Sequence, residues 1–314
     1  MFFPLMTVMN ETIVRGSCMW LLFALLCPFF YAIVCVLDSY CVGKIFDRPW
    51  FGVITSSLAS SLAFLLIPFV IPIWQTPGWQ IIVLAFLAGA LIQAMQALYF
   101  QSLAHSEAGV VAAYLNFVPA ILPVVSYWLF GQAFGLWTCV GIVINILASV
   151  LMCLIDSNCQ TRWRSFFLML AGCSFYSAGL LIEKYIFDCV PVLEGFLLIT
   201  LGIVTSGLLP LLLRRVRSAF RKNLSRLKPA LPTIAGIEVI NLLAIYSRHR
   251  AVSLSNPSLI EAIATIQTAY IFLLSISLYS LAPRLGDPQA GNRLWAKLLL
   301  VVAMIIGVRL VSGV

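Results

Sequence analysis

The chain is patterned in apolar stretches of about twenty residues separated by short polar breaks, the spacing of helices that cross a hydrocarbon layer. Ten such spans are read near 18–43, 51–74, 78–102, 108–131, 133–154, 164–188, 191–213, 230–248, 256–281 and 294–312. Their apolar runs are continuous, without the alternation of a membrane β-barrel, and backbone groups in hydrocarbon must find partners within their own segment. The expected fold class is therefore an all-α polytopic membrane protein with ten transmembrane helices.

Composition sharpens this by exclusion. Of 314 residues, 62% are hydrophobic and 10% charged, against about a quarter charged in a soluble domain, so no water-soluble fold could hide the apolar surface. Residues 1–17 contain Pro4, Asn10, Glu11 and Arg15 and lack a basic start leading into an apolar core and cleavage site, so no cleaved signal is expected. None of the nine cysteines forms a C-x-x-C pair; they read as small buried hydrophobes, with neither metal nor disulfide expected. No G-x-x-x-x-G-K-[ST] loop is present, so nucleotide-driven pumping is not expected, nor any cofactor.

The net charge is +8, but it does not point to nucleic acid. Arg214, Arg215, Arg217, Arg221, Lys222, Arg226 and Lys228 crowd one loop between spans, 214–228, with no acidic residue among them. Such a run beside a membrane helix marks a cytoplasmic face and meets anionic lipid headgroups. Fourteen Lys and Arg fall on the side of that loop and five on the other. The positive-inside rule then predicts a multi-pass cell-membrane protein with the basic loop cytoplasmic and both termini outside.

Self-comparison reveals a repeat. Span 1 holds Phe30-Tyr31, six residues, then Asp38-Ser39-Tyr40; at an offset of 145, span 6 holds Phe175-Tyr176, six residues, then Glu183-Lys184-Tyr185. At an offset of 147, Leu84, Ala88, Gly89, Ala97, Tyr99, Ala104 and Ser106 match Leu231, Ala235, Gly236, Ala244, Tyr246, Ala251 and Ser253. Two five-span halves are expected, 16–156 and 160–314. Because five is odd, the second must insert upside down, giving an inverted 5+5 repeat with a mid-membrane site between halves that rock.

With these features the sequence resembles the EamA-type carriers of the drug/metabolite transporter superfamily along nearly its whole length. In the first half the likeness rests on Ala97-Leu98-Tyr99, on 104–109 (Ala-His-Ser-Glu-Ala-Gly), and on Pro119, Gly131-Gln132 and Gly141. In the second it rests on Ala244-Ile245-Tyr246, Ala251-Val252-Ser253, Gln267 near the proline's place, Gly286-Asp287 and Gly307. The family often has glutamate where this chain has Gln132 and Asp287, and many relatives have cytoplasmic termini. The resemblance implies a secondary transporter, an exporter of a small organic metabolite such as an amino acid or amine, working across the cytoplasmic membrane by alternating access, with or without coupling to protons. A lipid-carrier flippase of the same fold is the alternative. An intramembrane enzyme is a remoter one, since only His105 and His249 are present, both near expected loops, and no G-x-S-G or G-x-G-D occurs. The expected partners are a small-molecule substrate and membrane lipid, as monomer or homodimer.

Ionisable groups at depth are costly and are functional candidates. Glu238 and Asn241 share a face of span 8 with Ile245 and Arg248, and Glu261, Thr265 and Thr268 make a polar stripe on span 9. Glu238 and Glu261 are read as cavity groups binding a proton or an ammonium, or else as groups held by helix–helix hydrogen bonds. Arg248 lies ten residues from Glu238, about 15 Å along a helix, too far to pair with it. Asp38 and Glu183 occupy matched positions near span ends, either as coupling carboxylates or as solvated helix ends, the latter favoured at Glu183 by neighbouring Lys184. Gln93, Gln96 and Tyr99 on span 3, Asn116 on span 4 and Gln267 on span 9 are candidates to select a polar solute, the amides equally able to bind neighbouring helices, and Asn145 is expected to pack. Arg248-His249-Arg250 at the mouth of span 8 reads as an interfacial anchor, with attraction of an anionic substrate group as the lesser alternative, and most of the tryptophans read as an aromatic belt.

Overall fold

The computed structural model describes residues 19–37, 49–70, 77–103, 114–131, 133–156, 163–281 and 294–312; among them every regular element is helical. Helix α1 is Met19–Leu37. Helix α2, Pro49–Ser60, runs on through a tighter 3-10 stretch Ser61–Leu66 into Ile67–Val70. Then follow α3 (Trp79–Leu103), α4 (Phe117–Phe130), α5 (Leu136–Asp156), α6 (Trp163–Cys189) and α7 (Val192–Leu208). The second half of the chain continues with α8 (Arg214–Leu227), α9 (Leu231–Leu254), α10 (Pro257–Ala264), α11 (Gln267–Leu281) and α12 (Leu294–Ser312).

Among the described residues, seven helical stretches are long and apolar enough to cross a membrane, and the apolar stretches of α4 and α5, Phe117–Trp128 and Leu136–Met152, are shorter. Helix α9 is equally long but carries Glu238, Arg248 and Arg250. The protein is a polytopic, all-helical membrane protein. Its surface is apolar, with Leu65, Phe69, Leu212 and Leu299 among the most exposed side chains, while Gln93, Asn145, Glu183, Glu194, Arg248, His249 and Lys297 are buried. That inversion of the soluble pattern is what a lipid solvent demands. Trp79, Trp128, Trp137, Trp163 and Trp295 are exposed near helix ends, as a belt requires. Trp20 instead packs in the core with Ile142 and Ile263, and Trp74 lies outside the described residues.

Three expectations are corrected. Residues 214–227 form a helix rather than a loop, because Val216, Phe220 and Leu224 recur every four positions and make one apolar edge between the cations. The Phe220 ring, 5.8 Å from Phe51, ties that edge to α2. Span 8 does not end at 248 but continues to Leu254, so Arg248 and His249 lie inside the helix and inside the core. Span 9 is broken, with Thr265 and Ile266 in a turn between α10 and α11. Helix α10 itself starts on Asn256, whose side-chain oxygen accepts from the Ser258 N–H at 2.9 Å, with Pro257 as first residue.

Helix α3 packs along both α6 and α7, α5 along α12, and α2 against α7. Small residues permit the closest of these crossings. A Cβ on Gly89 of α3 would lie 2.6 Å from the backbone nitrogen of Ile203, one on Gly202 2.7 Å from the Phe86 carbonyl oxygen, and one on Gly141 2.8 Å from that of Gly307. Backbone cannot move aside as a side-chain tip can. Gly89→Val should therefore destabilise by at least the roughly 1–3 kcal/mol typical of overpacking. Gly236→Ala, where nothing lies within 4 Å, should be neutral or stabilising by about 0.5–1 kcal/mol. Thermal unfolding of the two purified variants in one detergent checks the contrast. Gly131, which ends α4, has φ +63 and its N–H reaches the Tyr127 carbonyl at 2.9 Å, a left-handed helix stop that suits glycine.

Candidate functional site

A cavity of about 280 Å³ opens at the centre of the bundle, roughly the volume of nine liquid waters. Its walls are largely apolar, with Ile92, Met95, Val118 and Ile245 among them, and its polar groups come from both halves of the chain. Tyr31, Gln96, Tyr99 and Asn116 come from α1, α3 and the start of α4; Tyr176, Asn241, Arg248, Glu261 and Gln267 come from α6, α9, α10 and α11. The turn that interrupts span 9 supplies Thr265, with Thr268 just beyond it, and Asn116 is itself a turn residue before Phe117. Interrupted helices bring free backbone groups to a cavity where polar partners exist.

Behind the wall lies a buried charge cluster. Arg248 Nη2 donates to Glu183 Oε1 at 3.0 Å, and His249 Nε2 lies 3.2 Å from the same oxygen. Arg248 Nη1 donates to the Tyr176 hydroxyl, and its guanidinium carbon stands 5.0 Å from the Tyr176 ring centre. The His249 ring is walled by Phe187 and Phe196. Glu183 and His249 are fully buried and Arg248 is 3% exposed. The expected anchor role of Arg248 and His249 is thus replaced by an ion pair that joins α9 to α6 and presents one guanidinium to the cavity. Arg250, half-buried over the Phe23 ring, is set apart from them. Lys184 pairs with Asp188 at 2.8 Å, which frees Glu183 for Arg248.

Glu261 differs. It lines the cavity at 8% exposure and, among the described residues, has neither hydrogen bond nor ion pair. With Arg248 offset by Glu183, Glu261 is the carboxylate left without a counter-ion in the cavity wall.

Glu238 does not line this cavity. It sits in an adjoining pocket of about 50 Å³ with Ser56, Gln96 and Asn241, where its Oε1 accepts from the Ser60 hydroxyl at 2.6 Å and the Asn241 amide at 3.1 Å. Gln93 lies between helices, donating to Ser57 Oγ at 2.9 Å, and Gln96 donates to Ser56 at 3.3 Å. Asn145 has the packing role expected of it, donating to the Ala262 carbonyl at 3.2 Å. Asp38, Gln132, His105 and Asp287 lie outside the described residues. Of the sequence-read candidates the cavity therefore gathers Gln96, Tyr99, Asn116, Asn241, Glu261 and Gln267, with Glu183 one layer back and Gln93 and Glu238 to the side. Tyr31 and Tyr176 were not read as site residues, although the 145-residue offset had paired them.

Residues 18–154 match the EamA-like transporter family, which bears out the resemblance over the first half of the chain. A solved structure described as "Crystal structure of protein" is 11% identical, with a TM-score of 0.66 over 92% of this chain and 97% of that one; at that identity it shows a shared fold. None of the curated proteins matches the sequence.

Proposed function

From a polytopic helical protein of transporter type, EamA-like in its first half, we propose a secondary carrier that exports a small organic metabolite bearing an ammonium group, an amino acid or amine, across the cell membrane by alternating access. The observation that carries this reading is Glu261, a buried carboxylate in the wall of the central cavity with no hydrogen bond or ion pair among the described residues. A bare carboxylate at depth calls for a cation. Tyr31 and Tyr99 add aromatic side chains to the same wall, a lining that suits an ammonium, and Arg248 offers an amino acid's carboxylate a second contact.

We propose further that 16–156 and 160–314 are inverted halves. Repeat-matched residues meeting at the centre support this: Tyr31 and Tyr176 both line the cavity, as do Pro119 and Gln267, and Gly141 meets Gly307 where α5 crosses α12. Rocking of one half against the other would expose the cavity to each side in turn. Purified protein in vesicles should exchange radiolabelled amines or amino acids against the same unlabelled solute, and not dicarboxylates or neutral nucleobases. Exchange limited to anions would overturn the reading.

Basic helix α8 is proposed to lie on the cytoplasmic face. Lys297 is buried over the Phe272 ring and Arg248 is in the core, so neither bears on orientation; the remaining cations still divide thirteen to four. In a background without native cysteines, Ser218→Cys should react with an impermeant maleimide only after cells are permeabilised. Labelling of intact cells would reverse the orientation.

A further inference from the structure

We infer that the Glu238 pocket is a proton site distinct from the solute cavity, and that the carrier proposed above runs as an antiporter, one proton entering through Glu238 as one solute leaves. This inference rests on the carrier reading and adds its coupling ion and site. Glu238 is 4% exposed, and the groups that face it are neutral: Val34 from α1, Thr55 and Ser56 from α2, Gln96 and Phe100 from α3, Asn241 from α9 itself. No cation and no second titratable group lines the pocket among the described residues. A carboxylate at this depth held only by the neutral side chains of Ser56, Ser60 and Asn241 exchanges charge with solution by taking up and releasing a proton.

A metal ion fits less well. Hard cations need about six or more oxygen ligands, whereas Ser60 and Asn241 turn hydrogens, not lone pairs, toward Oε1, and the pocket has room for only one or two waters.

Two placements make the site suited to coupling. Its members come from both proposed halves, Ser56, Ser60 and Gln96 from the first, Glu238 and Asn241 from the second. When the halves rock, the Ser60–Glu238 bond must open, so the proton is held differently in the two states, as an ion must be if it is to bias them. The pocket also shares Ser56, Gln96 and Asn241 with the solute cavity. An ammonium solute seated against these shared residues favours the ionised form of Glu238 by its charge, so it expels the proton, and linkage then requires the proton to weaken solute binding by the same factor. In the balanced cycle Glu238 is protonated from the side of higher proton concentration, the halves rock, and the same proton leaves to the other side as solute binds.

The experiment separates solute exchange, which needs only the cavity and rocking, from accumulation driven by a pH difference. Wild-type vesicles with a one-unit pH difference should build a solute ratio approaching about tenfold for one proton per solute, and solute addition should release protons to an indicator dye. In Glu238→Gln, exchange should persist but lose its pH dependence, while accumulation and proton release disappear; Glu238→Asp should retain both with a shifted pH profile. If wild type exchanges solute but neither accumulates it nor moves protons, the inference fails and the carrier reading stands. If wild type exchanges no solute, both fail. Accumulation by Glu238→Gln at the native level would place the coupling elsewhere, and loss of exchange in folded Glu238→Gln would make Glu238 a solute ligand; either overturns the inference. Should Glu238→Gln not fold, an unshifted profile in Glu238→Asp does so as well.

Discussion

Glu183→Ala should lower the stability of the folded protein by about 3–5 kcal/mol, the loss found when one member of a buried ion pair is removed. The substitution leaves Arg248 with the Tyr176 hydroxyl and His249 as its hydrogen-bonding neighbours and with no anion in contact. Arg248 is buried, at 3% exposure, and its helix runs six residues further to Leu254, so it lies in the core and not at a helix end. Three buried polar atoms of the cluster already lack hydrogen-bond partners, Arg248 Nε, Glu183 Oε2 and His249 Nδ1, which leaves little slack for rearrangement. Replacing both partners with apolar residues of similar size, Glu183→Leu with Arg248→Met, should recover most of the loss, because the desolvation of both charges is then removed together. A double-mutant cycle on detergent-solubilised protein, followed by chemical or thermal unfolding, reads the coupling. Additive losses across the cycle would show that the pair contributes nothing beyond its packing.

Why that cluster could not be read along the chain is instructive in physical terms. Spans were legible because hydrocarbon thickness sets a fixed length and composition for each. Glu183 looked like a solvated end because Lys184 is beside it, and the partner that buries it is 65 residues away. Arg248 looked interfacial because a hydropathy pattern ends a span where charges begin, whereas the helix is held in the interior by exactly the pairing those charges make. Glu238 is more legible, because its depth in the helix limits its partners. That depth excludes Arg248 and leaves a proton, a cation or a polar group on another helix, and Ser60 of α2 is such a group. Helix α8 was hidden because the density of cations drew attention from the four-residue spacing of its apolar positions.

Glu261→Gln should do the opposite of Glu183→Ala, sparing or raising stability while removing function. Glu261 has no partner to strand, and burying an unpaired carboxylate is unfavourable, so an uncharged amide of the same shape is easier to hold at 8% exposure. The charge that makes the site unfavourable when empty is the one available to an ammonium when full, a trade common at binding sites. A hydrogen bond to a charged group is worth about 1.5–3 kcal/mol, which corresponds to roughly a ten- to hundredfold loss of transport efficiency for amines and amino acids. Deaminated analogues, which never engaged the carboxylate, should lose little. Arg248, the neighbouring cation acting on Glu261 through space, would then face the cavity without a second anion, so carboxylate solutes should gain relative to amines. Uptake of paired amine and deaminated substrates into vesicles, measured beside unfolding midpoints for the same preparations, tests both halves of the expectation. Equal losses for the two substrates, or a fall in stability comparable to that of Glu183→Ala, would assign Glu261 to the scaffold of the cavity and not to its ligand.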